Sequence, residues 1–210
     1  MSGAACGKRI FDAERAAFFD TIAHTWDERI LPRYENLMRM VMGAAGIDEH
    51  STVLDIGTGT GHLIPYILTH RPKQVIACDI SLEMLRCVEK KFQGNGRIRT
   101  LLADARDLPL AGESIDVILC HEVYPHFADK AVAVEELFRV VRPGGRLVIS
   151  HFGGRTFVNR VHVESNYPLI KNDILPPVDD VVALLGITGF TIQETIDNDH
   201  IYLIAAVKPA

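Results

Sequence analysis

Apolar positions in the first part of the chain recur at the spacing of a helix. Phe11, Phe18, Phe19, Ile22 and Trp26 predict one helix from Phe11 to Trp26, and Leu37, Met38, Val41 and Met42 predict a second from Arg33 to Ala45. At Thr52 the pattern changes. Short apolar runs now alternate with helical stripes: strand Thr52 to Ile56, helix His62 to His70, strand Gln74 to Asp79, helix Leu82 to Phe92, strand Arg97 to Ala103, strand Ile115 to Cys120, helix Lys130 to Val141 and strand Arg146 to His151. Ser81 and Asp129 suit helix N-caps, and the stripe Val134, Leu137, Phe138, Val141 stops before Pro143-Gly144-Gly145. Leu175-Pro176-Pro177 marks the start of a further helix. Phe190 to Ile196 and Ile201 to Val207 flank the turn-forming Asp197-Asn198-Asp199-His200, which predicts a C-terminal hairpin. Strands alternating with helices specify an α/β fold with a parallel sheet covered on both faces. No repeat, low-complexity tract or linker interrupts the pattern, so residues 1–210 are expected to form a single domain.

The turn after the first strand carries the chemistry. Thr52-Val53-Leu54-Asp55-Ile56-Gly57-Thr58-Gly59-Thr60-Gly61-His62 ends an apolar strand in a carboxylate and breaks into alternating glycines. A helix then begins, whose free N–H groups and positive dipole end attract an anionic ligand group. A nicotinamide or flavin site needs Gly-x-Gly-x-x-Gly, whereas here His62 stands where the third glycine belongs. Asp79 ends the next strand, at the roughly 20-residue offset of a ribose-binding acid. Its carboxylate can accept two hydrogen bonds from vicinal hydroxyls. A third carboxylate, Asp104, follows strand three within Leu101-Leu102-Ala103-Asp104-Ala105-Arg106-Asp107-Leu108-Pro109.

Together these segments resemble the motifs of class I S-adenosylmethionine (SAM) dependent methyltransferases, as does the Arg142-Pro143-Gly144-Gly145-Arg146 turn. The resemblance implies a Rossmann-like, seven-stranded mixed sheet of order 3-2-1-4-5-7-6 with its last strand antiparallel and helices on both faces. It implies SAM as cofactor. In that family the turn of Gly57, Thr58, Gly59 and Gly61 cradles the methionine portion, and Asp55 orders the loop or its amino group. Asp79 takes the ribose, Ile80 and Met84 flank the adenine, Asp104 accepts from its exocyclic amine beside Ala105, and Cys120 and His121 border the site. Phe18, Phe19, Ile22, Trp26 and Asp27 are similar to a segment of ubiquinone and menaquinone C-methyltransferases, in which Trp26 either closes over the cofactor or ends a core-facing helix. Residues 1–50 would then be a helical lid over a core of residues 51–210, with residues 152–178 as an acceptor-side insertion.

Composition narrows the partners. A 48% hydrophobic, 23% charged chain of net charge −5 has no Lys/Arg cluster of the kind a phosphate backbone requires, which argues against nucleic acid and for a small-molecule acceptor. No apolar run reaches membrane-spanning length and Met1 to Arg9 lacks the apolar core of a signal peptide, so the expected location is the cytoplasm. Cys6, Cys78, Cys87 and Cys120 have neither metal-site spacing nor a small-domain disulfide pattern and read as reduced thiols. Cys120 lies near where nucleobase C5-methyltransferases keep a nucleophile, but their Pro-Cys context is missing.

In an open α/β sheet, acceptors bind beyond the carboxyl ends of the strands. After strand four the chain reads Cys120-His121-Glu122-Val123-Tyr124-Pro125-His126-Phe127, and after strand five it continues from His151 through Arg155 and Arg160 to His162. No Asp/Asn-Pro-Pro-Tyr motif of amino-group methylation follows strand four. His121, His126, His151 and His162 are therefore candidates for a general base or substrate anchor, against capping or surface roles for any one of them. They are expected to surround one cavity. His126, His151 and His162, with His121 or Glu122, could alternatively hold a metal, although no pair has the spacing of a known site. Arg155 and Arg160 either pair with a substrate carboxylate or are solvated. Two rival functions remain at this level, a non-catalytic SAM-binding partner and an NAD(P)-dependent oxidoreductase disfavoured by the glycine spacing.

Overall fold

Side chains on a strand alternate between faces, and that alternation sorts the apolar residues of this sheet into two cores. The computed structural model describes residues 10–29 and 35–210. Cys6 and Arg33, named above, lie outside the described residues, as do Met1 to Arg9. The strands are β1 (Thr52–Ile56), β2 (Gln74–Asp79), β3 (Ile98–Leu102), β4 (Ile115–His121), β5 (Val141–Phe152), β6 (Thr191–Asp197) and β7 (Ile201–Val207). They form one sheet of order β3-β2-β1-β4-β5-β7-β6. β7 is antiparallel to both β5 and β6, and the remaining pairs are parallel.

Leu54, Ile76, Ile118, Leu147 and Ile204 face one side, where α5 (Lys130–Val140) and α8 (Val178–Thr188) cover them with Val134, Leu137, Val181 and Leu185. Val53, Val75, Val117, Val148 and Leu203 face the other, against α2 (Glu35–Ala45), α3 (Ile64–Thr69) and α4 (Leu82–Lys91). Burying both faces of the inner strands explains why their sequences are continuously apolar. Ser81 and Asp129 cap α4 and α5, their side chains accepting from backbone N–H groups of the first turn.

Several boundaries differ from expectation, most by a single residue, and four have a plain local cause. The helix predicted from Phe11 to Trp26 is α1 (Ala13–Ile22) followed by a 3-10 turn, Ala23–Arg29, because the Asp12 side chain accepts from Arg15 N and starts the helix there. Phe11, before that cap, is 44% exposed instead of facing the core. α3 starts at Ile64 and not at His62, since Pro65 fits only the first turn of a helix. β5 begins at Val141, where it pairs with Ile115, and an irregularity in that register admits the Pro-Gly-Gly turn. β6 starts one residue late, as Phe190 turns inward onto Phe138 with ring centroids 5.0 Å apart.

Between β5 and α8 lie α6 (Gly154–Val163) and α7 (Pro168–Lys171). α1 and the 3-10 turn are tied across the carboxyl ends of the strands. Asp20 accepts from Ser81 Oγ at 2.6 Å and Glu83 N at 3.0 Å, while Asp27 accepts from Thr60 Oγ at 2.5 Å and Lys91 Nζ at 2.8 Å. Among the described residues no helix is long and apolar enough to cross a membrane.

Candidate active site

A cleft opens beyond the carboxyl ends of β1, β2 and β4 and holds about 1070 Å³ of space not filled by protein atoms. The glycine turn forms its floor. Gly57 has φ +67°, and a Cβ there would stand 2.2 Å from Val123 Cγ2, so only glycine lets the turn pass beneath the residues after β4. Asp55 accepts from Thr58 Oγ at 2.6 Å. Burial pushes its pKa up to about 7, and the charge of Asp79 adds to that rise. Asp79 accepts from Gly59 N at 2.8 Å and Ser81 N at 2.9 Å, which fixes its carboxylate against the turn. Burial raises its pKa to about 6, with those backbone bonds opposing the rise. Asp104 differs. Burial disfavours its charge too, but Arg106 donates from Nε at 2.9 Å and Nη2 at 2.7 Å, and the pKa is lowered. Asp12 N also donates to Asp104, at 3.2 Å.

The other end of the cleft is lined by α1 and the residues after β4, with Asp173 of the segment after α7 behind them. Phe19 meets the His126 ring edge-on, centroids 5.3 Å apart. His126 Nδ1–H donates to Asp173 Oδ2 at 2.7 Å, which leaves Nε2 as its second ring nitrogen. Arg15 forks onto the same carboxylate, donating from Nη1 to Oδ2 and from Nη2 to Oδ1. His121 Nδ1 lies 2.9 Å from Ser150 Oγ, and burial holds its pKa down to about 4, so it is neutral near pH 7. Burial likewise lowers the pKa values of His62 and His126. Glu122, at φ +56°, ends the strand in a left-handed conformation. Among the described residues, no group of three or more His, Cys, Asp or Glu side chains could hold a metal ion.

Residues 54–149 match the family described as Methyltransferase domain. Over 199 residues the chain is 31% identical to the demethylmenaquinone methyltransferase of Thermus thermophilus, covering 78% of this chain and 90% of that one. It belongs to the class I SAM-dependent methyltransferases. An uncharacterized methyltransferase of Schizosaccharomyces pombe is 36% identical over 103 residues, covering 49% of this chain and 39% of its own length. The chain therefore spans about two-fifths of that relative. Among solved structures, the [4+2]-cyclase SpnF superposes with a TM-score of 0.78 at 14% identity over 96% of this chain and 97% of its own. That likeness concerns the fold alone.

The residues present fit the family's cofactor. Gly57 and Gly59 leave a cradle that a Cβ would fill, since one on Gly59 would come within 3.4 Å of Trp26 Nε1. The Asp79 carboxylate retains lone pairs beyond the two it gives to backbone N–H groups. Trp26, Asp55, Gly57, Thr58, Gly59, Asp79, Ile80, Met84, Asp104, Ala105 and His121 all line the cleft. Gly61 and Cys120 stand behind its wall. Gly61 packs toward Phe92 and Ile64, and Cys120 points into the core, where burial pushes its thiol pKa far up. Among the four histidines, His121 and His126 line the cleft while His151 and His162 do not. His162 backs His126, rings 5.1 Å apart, with Nδ1–H donating to Asp173 O. His151 is turned onto Phe152 O at 3.0 Å and stands 4.0 Å from Glu122. The expected single ring of four histidines is thus two lining residues and two supports. Arg155 pairs with Asp197 and Arg160 lies over Phe157, both away from the cleft.

Sequence reasoning did not find Arg15, Phe19, His62 or Arg106 as cleft residues, nor Asp173 as a partner of His126. Arg106 had a local signal, standing two residues from Asp104. Arg15 and Asp173 had none, being 158 positions apart.

Proposed function

We propose that this chain transfers the methyl group of SAM to a small-molecule acceptor seated against the contacting rings of Phe19 and His126. The observation that carries the reading is a single cleft lined at one end by Asp55, Gly57, Asp79 and Asp104 and at the other by a neutral histidine anchored through Nδ1. SAM supplies a methyl group already activated as a sulfonium. What remains for the protein is alignment and removal of a proton. Asp79 would hold the ribose hydroxyls and Gly57 to Gly59 the methionine portion. Ile80 and Met84 would flank the adenine. Asp104 would share its oxygens between the adenine amine and Arg106. Trp26, over Gly59, would cover the donor as part of a lid formed by α1 and the 3-10 turn.

His126 would take the proton at Nε2 as the new bond forms on the acceptor atom. His121, held neutral, would border the reacting atoms without competing for that proton. A net charge of −5 and the lack of a basic cluster favour a small acceptor over nucleic acid. A thermal shift assay tests the reading. S-adenosylhomocysteine at about 100 times its Kd should stabilise the protein by about 2.7 kcal/mol, or roughly 5–11 °C for a chain of this size. NAD and NADP at the same concentration should leave the melting temperature unchanged. Stabilisation by the nicotinamide cofactors alone would overturn the reading. Stabilisation by S-adenosylhomocysteine without its release from SAM with any acceptor would identify a non-catalytic binder.

A further inference from the structure

Asp173 sits outside every motif of the donor half, yet three elements converge on it. From α1, Arg15 donates to both its oxygens, and the arginine is itself buried, its side chain 10% exposed. From the turn after β4, His126 donates to Oδ2, the oxygen that Arg15 Nη1 also uses. From α6, His162 donates to the Asp173 carbonyl. The carboxylate is 8% exposed, so both of its bonds form where water competes little. Among the described residues Arg15 Nε has no hydrogen-bond partner, and Asp12 Oδ2 lies 3.5 Å from it. One oxygen therefore serves two donors, one a permanent cation and the other a titratable ring.

We propose that Asp173 is the positioning residue of His126, and that Arg15, by sharing Oδ2, ties the basicity of that histidine to the docking of α1. This deepens the methyl-transfer reading and rests on it for the role of Nε2. A bond from Nδ1–H to a carboxylate fixes the tautomer with its acceptor nitrogen at Nε2 and stabilises the imidazolium formed when a proton arrives there. In the reacting complex, the acceptor atom gains the methyl carbon and releases its proton to Nε2. The sulfur keeps the electron pair of the broken bond. Arg15 opposes the imidazolium, both through its charge and by drawing on the same oxygen. Undocking of α1 would remove that opposition and turn His126 into a stronger base that holds its proton. The docked state keeps the ring neutral and ready to accept one.

The charged and titratable groups around His126 are Asp173, which favours its protonated form, and His162 and Arg15, which disfavour it. Burial is the largest influence and also disfavours protonation. Lys130, on α5, donates to Pro125 O at 3.0 Å and Phe127 O at 3.2 Å, on either side of His126, and its charge interacts with those of Asp173 and Arg15.

Histidine NMR on the intact chain saturated with S-adenosylhomocysteine tests the proposal without a known acceptor. In the wild type, the long-range ¹H–¹⁵N spectrum of His126 should show the Nδ1–H tautomer. Asp173→Asn should move the titration midpoint of His126 down and admit the Nε2–H tautomer. Arg15→Gln should move the midpoint up, and Arg15→Lys, which keeps the charge, should restore it toward the wild type. A purely structural role for the pair would give no such opposed shifts. Midpoints that stay at the wild-type value, or that move the same way in both variants, would overturn the proposal. If Asp173→Asn does not fold, the Arg15 pair alone decides it by the same criteria. Stabilisation by S-adenosylhomocysteine reports separately on the donor half, so its loss in the wild type would count against methyl transfer and leave the titration result standing.

Discussion

Replacing Asp79 by Asn removes one charge and one acceptor while keeping the shape of the side chain. The native carboxylate accepts from Gly59 N and Ser81 N, one on each oxygen. An amide has a single acceptor oxygen, so its NH₂ group must face one of those N–H donors, and that part of the turn is left without a partner. Ribose hydroxyls would in addition exchange an anionic acceptor for a neutral one. A hydrogen bond to a charged group contributes about 1.5–3 kcal/mol, which corresponds to a loss of about 10–150-fold in affinity. Isothermal titration calorimetry with S-adenosylhomocysteine at pH 8, above the raised pKa of about 6, measures it directly. A folded variant that binds with wild-type affinity would remove Asp79 from the ribose role and with it the alignment of β2 to the family motif.

Gly57→Ala places a methyl group 2.2 Å from Val123 Cγ2 at a φ of +67°. The left-handed backbone alone costs about 1–2 kcal/mol, so differential scanning calorimetry should show a melting temperature lower by at least about 2–8 °C, and adding Val123→Ala should recover only part of the loss. Asp55 has a folded pKa of about 7 against 3.8 in the unfolded chain, so its stabilising contribution is complete below about pH 3.8 and is lost as pH rises through 7. The Asp55→Asn variant, measured by urea unfolding, should therefore gain stability relative to wild type between pH 5 and pH 8. Removing the proposed base with His126→Asn should lower turnover about 10²–10⁴-fold in an assay of S-adenosylhomocysteine release while leaving cofactor affinity unchanged.

How much of this was legible depended on how far apart the cooperating residues lie. That one cleft gathers Asp55, Gly57, Thr58 and Gly59 with Asp79 and Asp104 was readable, because the first of these lie in one short run and the last two each end or follow a strand whose apolar run announces it. Strand order was also legible, through the family resemblance and the C-terminal hairpin. The break of α1 into a 3-10 turn was not, since Phe18, Phe19, Ile22 and Trp26 fit either a continuous helix or a tightened one. Spacing put His126, His151 and His162 on neighbouring loops but carried no side-chain direction. His151 turns onto its neighbour's carbonyl and His162 onto that of Asp173, choices set by backbone carbonyls that no pattern of residue types reveals. Arg15 reads in sequence as an ordinary helical cation, and only Asp173, brought in by the segment after α7, makes it a buried one.

The division between the two halves bears on how a fold of this kind changes acceptor. Asp55, Gly57 and Asp79 sit at the ends of β1 and β2, inner strands buried on both faces, and Asp104 follows the edge strand β3. Moving any of them would disturb packing that the whole domain relies on. Phe19, His126 and Asp173 come instead from a surface helix, a turn and an irregular segment, joined by contacts of one or two side chains each. Substituting Phe19 there costs an edge-on ring contact, whereas removing one partner from the buried Arg15, Asp173 and His126 cluster leaves a charge unpaired; neither change touches the sheet. If the proposed reading holds, acceptor chemistry in this chain is to be sought in the cluster of Arg15, Phe19, His126 and Asp173 and not in the glycine turn, because a turn that holds SAM would specify a donor that many acceptors can share.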